Sequence, residues 1–132
     1  MRRARLKRSE GAKKKRRLRS VETNLDKVHK EAFDWGRRVG FRAGEVNAEL
    51  EPSANVDEVF SDWQDNFTQG ADYVNFILPE LRKMAGCRDY AGGTYTDCTD
   101  EQNEIYHELL DKFFDGAFEG FKLAFKKAKK GR

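Results

Sequence analysis

Arg2, Arg3, Arg5, Lys7, Arg8, Lys13, Lys14, Lys15, Arg16, Arg17 and Arg19 stand in the first twenty residues beside a single acid, Glu10. Cations at that density can follow the phosphates of a nucleic-acid backbone and release its condensed counterions, a chemistry that needs no fixed fold. No aromatic residue interrupts the run, so nothing in it can stack on a base. Binding to DNA or RNA without sequence preference is the expectation. Residues 13–19 also have the composition of a nuclear-localisation patch. The competing reading is a solvated tail, or one laid against an acidic surface of its own chain.

Other residues have spacings that invite chemistry and fall short of it. Glu104 and His107 form a Glu-x-x-His pair, and Asp26 and His29 form a near relative. Two such pairs with two further carboxylates hold metal in four-helix bundles. Here there are only two histidines, one pair carries Asp, and a fourth helix is lacking, so the expected reading is two histidines at the edge of a core and no cofactor. A metal-binding bundle is the third reading. Cys87 and Cys98 are too far apart in sequence for the short ligand spacing of a zinc site. They are expected as free thiols in a reducing compartment, with a disulfide as the alternative. Residues 107–111, HELLD, lack the second histidine of a zinc-protease helix, and no phosphate-binding Gly-x4-Gly-Lys loop occurs. A non-catalytic protein is expected.

These residues sit on a chain of 132 residues, which sets one domain as the prior. Charged residues are 37% of it and prolines number two, which favours long helices with much solvated surface. Charge is unevenly placed. Residues 21–132 carry fifteen basic and twenty-two acidic side chains, and within 43–111 sixteen acids face only Arg82, Lys83 and Arg88. The last eleven residues carry six Lys or Arg and no acid. Apolar runs such as Phe76-Ile77-Leu78 are far too short to cross a membrane. The basic start has no apolar stretch of a secretory signal, so an intracellular setting (cytoplasmic, nuclear or virion-associated) is expected.

Hydrophobic spacing predicts three helices after a disordered basic arm over 1–19. The first covers about 20–50, with Val21, Leu25, Val28, Ala32, Trp35, Val39, Ala43, Val46 and Leu50 at steps near three and four. The second covers about 55–86, with Val56, Phe60, Trp63, Phe67, Gly70, Val74, Ile77 and Leu81 as its stripe and a kink near Pro79. Asn55 with Glu58 makes its start signal. The third covers about 99–129 and opens on the capping box Thr99–Gln102. Residues 87–98 read as a loop with a small hairpin around Gly92-Gly93. Long helices with short connections predict an all-α fold, an antiparallel three-helix bundle over 20–132.

Glycines complicate two of these helices. Gly36, Gly40 and Gly44 recur every four residues in the first, and Gly116 and Gly120 repeat the frame eighty positions later. Each costs about 1 kcal/mol relative to alanine in a helix interior. Five would cost about 5 kcal/mol, comparable to the net stability of a domain. Close approach of two helices along glycine rows, with rings such as Trp63, Phe113 and Phe118 filling the groove, is the expected compensation. The eighty-residue echo reads as two helices solving one packing problem rather than a duplication.

The third helix is apolar over half its circumference, through Leu109, Leu110, Phe113, Phe114, Ala117, Phe118, Phe121, Ala124 and Phe125. That excess width predicts a second contact face at Phe114, Phe118, Phe121 and Phe125, for a homo-oligomer or a protein partner. The leading functional expectation is therefore a non-enzymatic, nucleic-acid-associated protein whose body mediates self-association or a protein contact. The alternative is an interaction module, an inhibitor or adaptor, that offers Asp62, Asp65 and the acidic body to a basic partner as a nucleic-acid mimic.

Overall fold

The computed structural model describes residues 9–89 and 92–130, with side chains from residue 24 onward. The chain is all-α: α1 (Ser9–Leu50), α2 (Val56–Phe67), a π-helical turn (Tyr73–Ile77), α3 (Leu78–Met84) and α4 (Asp100–Lys130). Among the described residues the only β pairing is one antiparallel bridge, Arg88 with Asp97.

α1 starts at Ser9, well before the expected residue 20, so the backbone of 9–19 is helical where a disordered arm is expected. The physical reason lies in composition: Ala, Lys, Arg, Leu and Glu are strong helix formers, and no proline stands in the way. A helix already nucleated downstream extends at one hydrogen bond per residue. Residues 1–8 lie outside the described residues.

The expected second helix is two helices. It breaks at the turn after Phe67, where the Gly70 amide donates to the Phe67 carbonyl, and not at Pro79. Pro79 instead sits in the first turn of α3, where its missing N–H matters least. The wider turn just before it, closed by the Leu78 amide donating to the Tyr73 carbonyl, absorbs the bond that proline cannot make. This insertion shifts the helical phase. Tyr73 is buried in place of Val74, which is 51% exposed, and Ile77 and Leu81 return to the core.

The helix starts follow their caps. Asn55 Oδ1 accepts from the Asp57 and Glu58 amides at 2.9 and 3.3 Å. Thr99 and Gln102 exchange bonds reciprocally, amide to side chain, at 2.9 and 3.1 Å. Gln102 Nε2 also donates to the Gly86 carbonyl at 2.8 Å, fastening the end of α3 to the start of α4. Gly86 itself, at φ +96°, is the left-handed stop after α3.

α4 is the centre of the molecule, and α1 is its most extensive neighbour. The contacts rise together along both chains: Gly36 meets Phe113, Gly40 meets Ala117 and Gly44 meets Phe121 and Ala124. The two helices therefore run parallel. α2 runs against them, since Phe60 touches Phe118 and Phe121 while Phe67 touches Phe113 and Phe114.

The approach of α1 to α4 is backbone on backbone. A Cβ built on Gly36 would lie 1.8 Å from the Phe113 carbonyl oxygen, and one on Gly40 would lie 1.9 Å from that of Ala117. The reverse contacts match: Gly116 would meet the Phe33 oxygen at 2.0 Å and Gly120 the Arg37 oxygen at 2.0 Å. Phe33 and Phe113, Gly36 and Gly116, Arg37 and Ala117, and Gly40 and Gly120 are each eighty positions apart. The pair is thus related to itself by a local two-fold axis running along the helices. The glycine hydrogens that stand where a Cβ would be point at carbonyl oxygens of the facing helix.

Two clusters flank this seam. One gathers Ala32, Tyr73, Ile77, Leu81, Tyr106, Leu109 and Phe113, the other Ala48, Val59, Phe60, Ala117, Phe121 and Phe125. At its end α1 leaves the core, and Val46 and Leu50 are 54% and 74% exposed against expectation. Gly44 and Ala48 hold the inward positions there, so the glycine row and not the larger apolar residues marks the buried side of α1.

Candidate nucleic-acid interface

The glycine row fixes which residues of α1 turn outward. In a helix, the two positions after each inward glycine point away from the facing helix or along its flank. After Gly36 these are Arg37 and Arg38, after Gly40 they are Phe41 and Arg42, and after Gly44 they are Glu45 and Val46. Arg37, Arg38 and Arg42 are exposed, and Phe41 is half-buried. With Leu123 of α4 they line a groove of about 410 Å³ that opens to solvent. Lys127 of α4 adds its ammonium 5.6 Å from the centre of the Phe41 ring.

Lys27 and Lys30 are exposed further up the same helix, interspersed with Glu31 and Asp34. Among the described residues none of Lys27, Lys30, Arg37, Arg38 and Arg42 has an ion-pair partner within 4.0 Å. The arm joins this helix without a break, because Lys13, Lys14, Lys15, Arg16, Arg17 and Arg19 all belong to α1. The register of α1 with α4 sets residue 20 opposite Asp100, so residues 9–19 continue past the start of α4. Arg2, Arg3, Arg5, Lys7 and Arg8 lie outside the described residues.

The expected protein-contact face of α4 does not exist as a free surface. Phe121 is fully buried and Phe125 is 4% exposed. Phe114 and Phe118 are half-buried and packed on α2, Phe118 at 4.9 Å from Phe60 and Phe114 at 6.4 Å from Phe67. The apolar width of α4 is consumed inside the chain, because it packs against α1 on one side and α2 on the other. Asp62 and Asp65 are exposed on α2 without an ion-pair partner among the described residues.

The histidines are drawn into different surroundings. His29 Nε2 lies 3.0 Å from Glu108 Oε1, across the seam. His107 is exposed beside Tyr106, 5.2 Å between ring centres. The two Glu-x-x-His-like pairs therefore do not converge. Among the described residues no group of three or more His, Cys, Asp or Glu is placed to hold a metal.

Cys87 and Cys98 are joined in a disulfide, against the expectation of free thiols. The Arg88–Asp97 bridge sets the two flanking residues opposite one another, and Arg88 is also held by Asp97 Oδ2 at 3.1 Å. Gly93 and Tyr95 amides bind the Asp89 carboxylate, so the connection between α3 and α4 is a closed, internally bonded loop.

One basic site escaped the sequence reading. Arg37, Arg38 and Arg42 directly follow Gly36 and Gly40 in sequence, but spacing alone does not show that they line one groove. No helix among the described residues is long and apolar enough to cross a membrane. No protein-family model, no curated protein and no solved structure matches the chain.

Proposed function

We propose that the chain is a non-enzymatic, nucleic-acid-associated protein that binds without sequence preference through its basic N-terminal segment. The observation that carries this reading is the concentration of eleven Lys and Arg against one acid in residues 1–20. Its support is the continuity of 9–19 with α1, which gives the cations a rod to ride on and continues into the exposed Lys27 and Lys30. The body is best read as an antiparallel three-helix bundle, with α2, the π turn and α3 together as its middle member and the glycine seam between its outer two. A rigid seam would fix the direction in which the basic rod leaves the body.

The test is fluorescence anisotropy of labelled DNA and RNA over a salt series. The full chain should bind with a log–log slope of about −5 or steeper on duplex, the slope of about six neutralised phosphates. Changing Lys13, Lys14, Lys15, Arg16, Arg17 and Arg19 to glutamine should remove most of that slope. A full chain that binds neither nucleic acid near physiological salt overturns the reading.

A second reading rests on Asp62 and Asp65. Their exposure on α2, with no ion-pair partner among the described residues, suits an interaction module that presents acids to a basic partner. It predicts that Asp62→Lys with Asp65→Lys abolishes partner capture while glutamine at Lys13, Lys14, Lys15, Arg16, Arg17 and Arg19 leaves it intact.

A further inference from the structure

The local two-fold axis makes the two flanks of the seam comparable position by position. Shifted by eighty residues, the outward row of α1 (Arg37, Arg38, Phe41, Arg42, Glu45) corresponds to the α4 row Ala117, Phe118, Phe121, Lys122 and Phe125. Of the α4 row, Ala117, Phe118, Phe121 and Phe125 share a core cluster with Val59 and Phe60 of α2. The α1 row has no covering element among the described residues, and its groove pairs three unpartnered guanidiniums with an apolar floor of Phe41 and the 44% exposed Leu123. A larger groove of about 590 Å³ beside Asn55 is a poorer anion site. Its lysines are faced by Asp57 and Glu119, and Lys122 is already bound to Glu119 at 2.9 Å.

We propose that the groove between α1 and α4 is a single-strand binding surface, with phosphates on Arg37, Arg38 and Arg42 and a base against Phe41 and Leu123. The proposal rests on the nucleic-acid reading above and adds to it the one feature the arm lacks, an apolar surface for bases. Guanidiniums match phosphate oxygens in a planar, two-pronged geometry. The apolar floor discriminates between strand types, since a duplex hides the faces of its bases and a single strand offers them. Glu45 closes one end of the groove to phosphate by like charge. An acidic peptide would satisfy the arginines equally well, but it has no counterpart to a base for Phe41.

The experiment uses the full chain with a labelled single-stranded 20-mer and the matching duplex, across a salt series. Arg37→Gln, Arg38→Gln and Arg42→Gln combined should make the single-strand slope shallower by about 2, the share of three phosphates. Phe41→Ala should weaken the single strand roughly tenfold and the duplex less than twofold. Leu123→Gln, at an exposed position, should shift the same ratio in the same direction and serves if Phe41→Ala fails to fold. An unchanged slope in the triple variant, with the full chain still binding, overturns the groove and leaves the arm as sole site. Equal losses on both strand types also overturn it. Displacement of the 20-mer by polyglutamate at equal charge, with the Phe41→Ala ratio unmoved, would assign the groove to an acidic protein instead. Absence of any binding by the full chain fails the underlying reading and this one together.

Discussion

The two flanks of the α1–α4 seam share one backbone arrangement and carry opposite side chains. On the α4 flank, Phe118, Phe121 and Phe125 follow the glycine and alanine row; Phe60 of α2 packs on Phe118 and Phe121, Trp63 packs on Phe121, and Phe125 stacks on Phe121 in the same cluster. On the α1 flank the matching places hold Arg38, Phe41 and Glu45; Arg38 and Glu45 are exposed and Phe41 is half-buried. Backbone packing is thus indifferent to what grows beside it. The glycine rows bring the helices together, and the outward rows decide which flank becomes core and which becomes surface. An aromatic flank collects a third helix through apolar burial. A flank of arginines cannot be buried without partners for its charges, so it stays open.

The comparison breaks most completely at the seam, on which both flanks depend. Gly36→Leu has no place for its side chain, because the Phe113 carbonyl stands 1.8 Å from the Cβ and is backbone that cannot rotate away. The expected loss is more than about 3 kcal/mol, beyond ordinary overpacking of side chains. Circular dichroism should show a collapsed or absent cooperative melt. A melting temperature equal to that of the parent would mean the helices are not in contact there. Gly70→Ala is the control, since its nearest neighbour is the Phe67 carbonyl at 3.3 Å and no second helix is involved.

The flanks themselves separate on a matched pair of substitutions. Phe121→Ala leaves a cavity among Phe60, Trp63 and Phe125 and should cost about 3–5 kcal/mol. Phe41→Ala, eighty positions earlier on the open flank, removes a half-buried ring and should cost about 1 kcal/mol. Urea midpoints at constant slope measure both. Equal losses would show that the α1 flank is also covered, for instance by a second copy of the chain.

The sequence showed the starts of α2 and α4 because short polar signals define them locally: Asn55 before α2, and Thr99 with Gln102 before α4. It also showed that the glycines at 36, 40, 44, 116 and 120 share a frame. It hid the phase of the middle segment. Val74 stands on the apolar stripe by spacing, but the π turn inserts a residue, and Tyr73 takes the buried place. Pro79 is the expected kink, yet a proline in a first helical turn is tolerated and the break is at Gly70. The outward face of α4 was misjudged for a related reason. A stripe too wide for one neighbour predicts a free surface only if α4 has a single neighbour, and it has two. The guanidinium groove was hidden because it depends on which side of α1 the glycines face, a property of the pair of helices and not of either alone.

The smallest expected effect lies on the covered flank and is read by pH. Tyr73 packs between Phe67 and Phe114, at 5.6 and 5.9 Å between ring centres, and is 9% exposed. Burial raises the pKa of its phenol above 10, Tyr106 pushes the same way and Arg82 opposes. In the unfolded chain the phenol ionises at about 10. As pH rises past that value the unfolded state gains by losing a proton the folded state still holds. Stability is therefore intact below about pH 10 and declines from there up to the folded pKa. The decline has a ceiling of about 1.4 kcal/mol per pH unit between the two values. Other tyrosines titrate in the same window, so the informative quantity is the difference between the parent and Tyr73→Phe. Urea midpoints at pH 8.5 and 10.5 should fall more steeply in the parent, because phenylalanine keeps the ring and has no proton to lose. Identical falls would place Tyr73 in water, and the π turn that buries it would lose its role in covering α4.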